Sequence, residues 1–257
     1  MDKQRATDEF MRYVSAYDPT NPRIRLKIEH TLRVAPLAEE VARSAGLSAN
    51  DVDLAWMLGL LHDIGRFEQV RRYDTFNDAA SVSHAALSVE VLFETPHGTE
   101  PLIRSFVSGA EDDALMRTAI GTHSDFRLPS DLDERTRTLC NVLRDADKID
   151  ILRVNCDYPV SDIYGVSKRE MMESELSPAC VDIFYQHSCL PRGVRQHPAD
   201  IMLGHICFVW ELVFERSREI VCEQGYLWRM FERDWQLPQT KASFAAMAAH
   251  LRQELGA

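Results

Sequence analysis

The sequence predicts an all-α protein. Apolar residues recur near i, i+3, i+4 and i+7 in one segment after another, alternating strand patterns are almost absent, and caps and stops punctuate the segments. The spacing predicts helices over about 4–16, 23–45, 49–62, 81–94, 100–108, 112–123, 131–154, 169–187, 199–224, 226–234 and 240–254. Pro22 suits the opening turn of the second helix. Pro36 lies inside that helix, where it removes a hydrogen bond and predicts a kink. Gly46 supplies a stop, and Ser48-Ala49-Asn50-Asp51 resembles a capping box with Asp in place of Glu. The run Asp51–Leu61 is apolar enough to be buried, and Gly65 is the residue favoured just beyond a helix C-terminus. No internal repeat or low-complexity segment is visible.

The composition shifts after Arg153. Val154–Lys168 contains Pro, Gly and Ser and reads as a loop, dividing the chain into a bundle over 1–153 and a helical extension over 154–257. Within the extension, Ile201–Gln224 reads as one long helix, apolar nearly all round in its first half. Such a helix is usually buried, either packed on the bundle or at the face of a homodimer.

Composition narrows the functional classes. Hydrophobic residues make up 45% of the chain and charged residues 27%, as in an ordinary globular protein. No apolar run reaches the ~20 residues of a spanning helix, and the polar, amphipathic start lacks the apolar stretch of a secretory signal. We therefore expect a cytoplasmic protein without a membrane partner. The six cysteines, at 140, 156, 180, 189, 207 and 222, form no Cys-x-x-Cys pair and read as free, mostly buried thiols. A net charge of −11 argues against nonspecific nucleic-acid binding, which depends on clustered Lys and Arg.

The strongest chemical signal is Leu60-Leu61-His62-Asp63-Ile64-Gly65-Arg66, which sets an imidazole beside a carboxylate at the end of the apolar run. Burying such groups costs several kcal/mol unless they are paired or coordinated. On its own the dipeptide also suits a core histidine with a capping aspartate. His30, His84, His123 and Asp147 each lie in a further helical segment. Together with His62-Asp63 they suit a bundle that builds a metal site from inward-facing side chains.

The order His30, His62-Asp63, His84, His123, Asp147 resembles the HD-domain superfamily of metal-dependent phosphohydrolases, over about Arg23 to Arg153. His30, His62-Asp63 and Asp147 match its signature, and His84 and His123 match the two further histidines of dinuclear members. The Leu-Leu-His-Asp-Ile-Gly core, Ala119-Ile120 ahead of His123, and Ala146-Asp147-Lys148 support the match. The resemblance implies an HD-domain helical bundle with additional C-terminal helices. Ser124 stands where cyclic-dinucleotide phosphodiesterases of the superfamily carry a second His, which argues against that activity. Arg66 stands where many members carry Lys, keeping the charge and adding a planar fork suited to phosphate.

The resemblance implies two divalent ions, as iron, manganese or a zinc/magnesium mixture. Asp63 would bridge them, His30, His62 and Asp147 would complete one site, and His84 and His123 would hold the other. Four neutral imidazoles and two carboxylates contribute about −2, so two such ions would leave the site near +2 despite the acidic chain. Water activated by the metals, its pKa lowered toward about 7, would be the nucleophile.

Arg66, on a turn leaving the ligand helix, and Lys148, after the last ligand, are candidates to hold substrate phosphate. For both, a surface ion pair is the competing use. Arg71, Arg72 and Arg127 are weaker candidates on expected loops. Asp145 competes with Asp147, whose Ala-Asp-Lys context is favoured. Asp74 and Asp78 fall in an expected solvated loop, with acid-base work or a hold on metal-bound water as the alternative. His97, His187, His197, His205 and His250 lie outside the pattern and are assigned structural or solvent roles.

The resemblance implies hydrolysis of a small phosphate ester or anhydride, nucleotide-like or otherwise; the Ala-Ile-x-x-His-Ser element and the ligand spacing look similar to HD hydrolases that split dinucleoside polyphosphates and are equally consistent with a nucleotidase. Two other classes stay open: a mixed-valence di-iron oxygenase, and a nucleotide-responsive regulatory module. The intact ligand set and the lack of a fused effector domain weigh against the regulatory module.

Overall fold

The structure, a computed structural model, describes residues 2–94 and 99–256. His97 therefore lies outside the described residues. Among these residues there is no strand, and the fold is all-α. Fourteen α-helices follow in order among the described residues: α1 (Lys3–Val14), α2 (Pro22–Ser44), α3 (Ala49–Leu61), α4 (Gly65–Tyr73), α5 (His84–Phe93), α6 (Asp113–Thr122), α7 (Glu134–Asp157), α8 (Val160–Tyr164), α9 (Lys168–Met172), α10 (Pro178–Tyr185), α11 (Pro198–Ile206), α12 (Glu215–Gln224), α13 (Tyr226–Phe231) and α14 (Pro238–Leu255). The chain divides into two compact units, Met1–Asp147 and Lys148–Ala257, with the boundary inside α7. No helix of the described residues is long and apolar enough to cross a membrane.

In the first unit, local chemistry sets the helix ends. Asn21 caps α2 ahead of Pro22, and α2 runs through Pro36 as one element. Gly46 takes a left-handed φ of +72°, which a side chain would strain, and Ser48 then caps α3 through the Asp51 amide. Nearly every α3 residue from Leu54 to Leu61 is buried. At Gly59 an added Cβ would lie 2.7 Å from the Ala35 Cα, so this glycine lets α3 press against α2.

Four expectations are corrected. Gly65 does not end a run at positive φ; it opens α4, a helix the sequence reading left as a turn. Its need for glycine comes from packing, since a Cβ there would meet the Ser88 amide nitrogen at 2.4 Å. Arg66, Arg71 and Arg72 accordingly lie on a helix. The segment around 100–108 forms only a short 3-10 helix, Leu102–Ser105.

The other two corrections fall later in the chain. The expected loop Val154–Lys168 is largely helical, because α7 continues to Asp157 and α8 follows. Neither 169–187 nor 199–224 is one helix. The first breaks between α9 and α10, ahead of Pro178, whose ring suits a helix start but disfavours helix in the preceding residue. The second breaks through the 3-10 segment Cys207–Glu211 before α12 begins.

In the second unit Met202, Leu203, Ile206, Cys207, Val209 and Leu212 are buried in the single chain. Asp200, also buried, accepts hydrogen bonds from the Ser177 amide and hydroxyl and from the Gln196 and His197 amides. That buried carboxylate ties the turn before α10 to the start of α11. All six cysteines are free thiols.

Candidate metal centre

Each residue of the site owes its position to a helix or a helix end. His30 sits mid-helix on α2, His62 caps the C-terminus of α3, and Asp63 follows in the tight turn into α4. His84 opens α5, His123 caps the C-terminus of α6, and Asp147 lies within α7. The two caps explain the ring orientations. At each, the chain end leaves a carbonyl one turn back available, and the imidazole Nδ1–H donates to it: His62 to Gly59 at 2.8 Å and His123 to Ile120 at 2.7 Å. A carbonyl only accepts, so Nδ1 carries a proton and Nε2 is the ring nitrogen turned to the interior.

The Nε2 atoms converge on two carboxylates. Asp63 Oδ2 lies 3.6 Å from His30 and 3.5 Å from His62, while Asp63 Oδ1 lies 3.6 Å from His84 and 3.8 Å from His123. Asp147 Oδ1 lies 3.1 Å from His30 and 3.6 Å from His62. The donor atoms form three overlapping groups, His30/His62/Asp63, His62/His123/Asp147 and Asp63/His84/His123, each within 4.8 Å. All six predicted ligands are thus brought together, and Asp147 rather than Asp145 supplies the α7 carboxylate.

This donor set fits divalent metal. The buried His62 Nε2 and Asp63 Oδ1 have no hydrogen-bond partner, and an unsatisfied buried polar atom costs roughly 1–3 kcal/mol. His84 and His123 face each other Nε2 to Nε2 at 3.0 Å. Burial and the neighbouring imidazoles push His123 down to about 3, and burial and Arg66 push His84 down, so both rings are neutral. Opposed lone pairs call for a cation beside them. For His62 burial alone would lower the pKa, yet Asp63 and Asp147 outweigh it and raise it to about 10. Those carboxylates therefore draw positive charge into that half of the site. Imidazole and carboxylate together suit zinc, iron or manganese.

A second layer holds the ligands. Asp78 Oδ2 accepts from His84 Nδ1 at 2.6 Å, and Asp78 Oδ1 accepts from Arg66 at 3.0 Å and Gln69 at 2.9 Å. The solvated-loop expectation is therefore corrected for Asp78. Asp74 does match it, with an exposed side chain paired to Arg23. Arg66 Nη1 also donates to Gln69 and to the Phe76 carbonyl, and Arg66 Nε lies 3.6 Å from Asp63 Oδ1.

Lys27, which the sequence reading missed, places its ammonium 2.5 Å from Asp63 Oδ2. The available signal was its spacing, three residues before His30 and so on the same helical face. Lys148 belongs to the second unit, where it pairs with Glu211 at 3.0 Å. Arg71 and Arg72 pair with Glu68, and Arg127 lies over the Phe126 ring. His205 Nδ1 bonds the Tyr164 hydroxyl at 2.9 Å, a structural role.

Residues 28–152 match the family model described as HD domain, and no curated protein or solved structure matches the chain. The superfamily is one of metal-dependent phosphohydrolases, and the match contains all six clustered residues. The ordered ligands, the all-α bundle and the family match together identify residues 28–152 as a domain of the HD superfamily.

Proposed function

We propose that the protein hydrolyses a small phosphate ester or anhydride, nucleotide-like or otherwise, at a dinuclear centre held by His30, His62, Asp63, His84, His123 and Asp147. The observation that carries this reading is the division of Asp63: one oxygen faces His30 and His62, the other faces His84 and His123. A carboxylate so placed would serve two ions at once. When bound, two such ions supply Lewis acidity and activate water near neutral pH, without a side-chain nucleophile.

The chain's own groups do the remaining work. Gly59, Ile120 and Asp78 hold the Nδ1 protons of His62, His123 and His84, so that each ring turns its Nε2 toward the place a metal would take. Lys27 and Arg66 both lie 5.4 Å from the Phe76 ring centre and present two cations beside the carboxylate cluster, suited to a phosphate. Arg66 also fixes Asp78, which makes it a positioning residue as well as a candidate anion contact. Lys148 keeps its candidacy as a phosphate contact only if its ammonium leaves Glu211.

The test is a screen of the purified chain against phosphomonoesters, nucleotides and dinucleoside polyphosphates, with manganese or iron, under argon and in air. Phosphate release that needs metal but not oxygen supports the reading. Turnover seen only aerobically with iron would replace it with the oxygenase class.

A further inference from the structure

The second unit carries another cluster of metal-ligating side chains, remote in sequence from the HD match. His250 and Glu254 stand four residues apart on α14, one helical turn, and so share a face. His187 comes from the turn after α10, and its Nε2 lies 3.1 Å from the His250 Nε2. One donor atom from each of His187, His250 and Glu254 lies within 4.8 Å of the others.

Two features set the His187 ring in place. Its backbone is left-handed, with φ of +53°, one of only two such non-glycine residues among the described residues. Residues outside glycine keep that conformation where their surroundings over-determine it. The ring also stacks on Trp210, with centroids 4.2 Å apart and planes 11° apart. His250 in turn packs edge-on against Tyr185, at 5.1 Å.

We infer that His187, His250 and Glu254 form a zinc-type surface site that clips α14 to the turn following α10, with water free to fill a fourth position. Two imidazole nitrogens on a tetrahedral ion with bonds of about 2.0 Å stand about 3.3 Å apart, close to the separation here. A shared proton accounts for the two histidines alone, but gives the nearby Glu254 carboxylate no part. Two imidazoles and one carboxylate with an open position make a donor set that zinc accepts. Glu254 and His187 are exposed, so an ion reaches the site without opening the fold. The site is independent of the hydrolase reading, since none of the three residues belongs to the HD centre.

The experiment is equilibrium dialysis of the full chain against zinc, with bound metal read by elemental analysis and thermal unfolding followed with and without zinc. The parent should bind about one zinc per chain more than His187→Ala or His250→Ala. Zinc should raise the parent's Tm by several °C beyond its effect on either variant. Glu254→Gln should weaken binding about tenfold or more, and phosphate hydrolysis should be unchanged in all three. His187→Gln, in an exposed turn, keeps the comparison available should His250→Ala lose its helical circular dichroism. Equal zinc content in the parent and in the His187 variants would overturn the site, leaving the two rings as a proton-sharing pair.

Discussion

Asp78 grips the Nδ1 of His84 at 2.6 Å while its other oxygen takes hydrogen bonds from Arg66 and Gln69. A carboxylate behind a metal-ligating imidazole fixes the ring and raises its basicity, and losing one typically costs about 10–100-fold in metal affinity. Asp78→Ala should weaken the proposed metal site at His84 by that factor in a competition titration. Asp78→Asn keeps an acceptor and should be milder. Unchanged affinity in Asp78→Ala would remove Asp78 from the support of the site.

Arg66→Ala should do two things, because its guanidinium reaches both Asp78 and the neighbourhood of Asp63. Turnover should fall by about 10²–10³ if it contacts charge in the transition state. Affinity for the metal near His84 should fall as well, since Asp78 loses a partner. Arg66→Lys should recover part of each. A loss confined to KM, with kcat and metal content intact, would leave Arg66 as a ground-state anion contact only.

The two aspartates of α7 should separate cleanly. Asp147→Asn removes charge facing His30 and His62 and should abolish most hydrolysis, whereas Asp145→Asn should act through stability, because Asp145 is fully buried. Asp63→Ala should cost several orders of magnitude in rate while the helical circular dichroism persists. The measurements are kcat/KM and Tm on the same preparations, and the reverse order of the α7 variants would overturn the ligand assignment.

Gly65→Ala and Asp200→Ala probe the frame. A Cβ on Gly65 meets backbone of α5 rather than a movable side chain, so overpacking should cost about 1–3 kcal/mol or more and disturb His84 with it. Asp200 is held below the ordinary carboxylate range: burial opposes its charge, but bonds from Ser177, Gln196 and His197 outweigh burial. A lowered pKa means that the unfolded chain binds the proton more readily. The stabilisation from Asp200 is therefore complete above about pH 4 and is lost as pH falls toward the folded value. Asp200→Ala should lower stability by about 2–4 kcal/mol at neutral pH and flatten this part of the acid dependence. An unaltered Tm for either variant would contradict the packing described.

Much of the site is readable before the fold because its signal is chemical. His62-Asp63 lies at the end of an apolar run, and His30, His84, His123 and Asp147 fall in helical segments whose order is distinctive. What escaped depends on contacts between elements. Gly65 looks like a helix stop from its type alone, yet its role is the close approach of α4 to α5. Asp78 sits in a polar loop that reads as solvated, and only folding brings it to His84. Lys27 shares a helical face with His30, but its ion pair with Asp63 joins α2 to the turn between α3 and α4. Breaks such as the one at Cys207–Glu211 arise in a stretch apolar nearly all round, where periodicity carries no stop.

In the proposed centre His84 and His123 hold a second ion that shares Asp63 with the first. The most direct measurement is the manganese bound per chain after removal and reconstitution of metal, compared between the parent and the His84→Ala and His123→Ala variants. The account predicts that each variant loses about one ion per chain relative to the parent while keeping part of the other. Retention of the parent's full manganese content in both variants would contradict it.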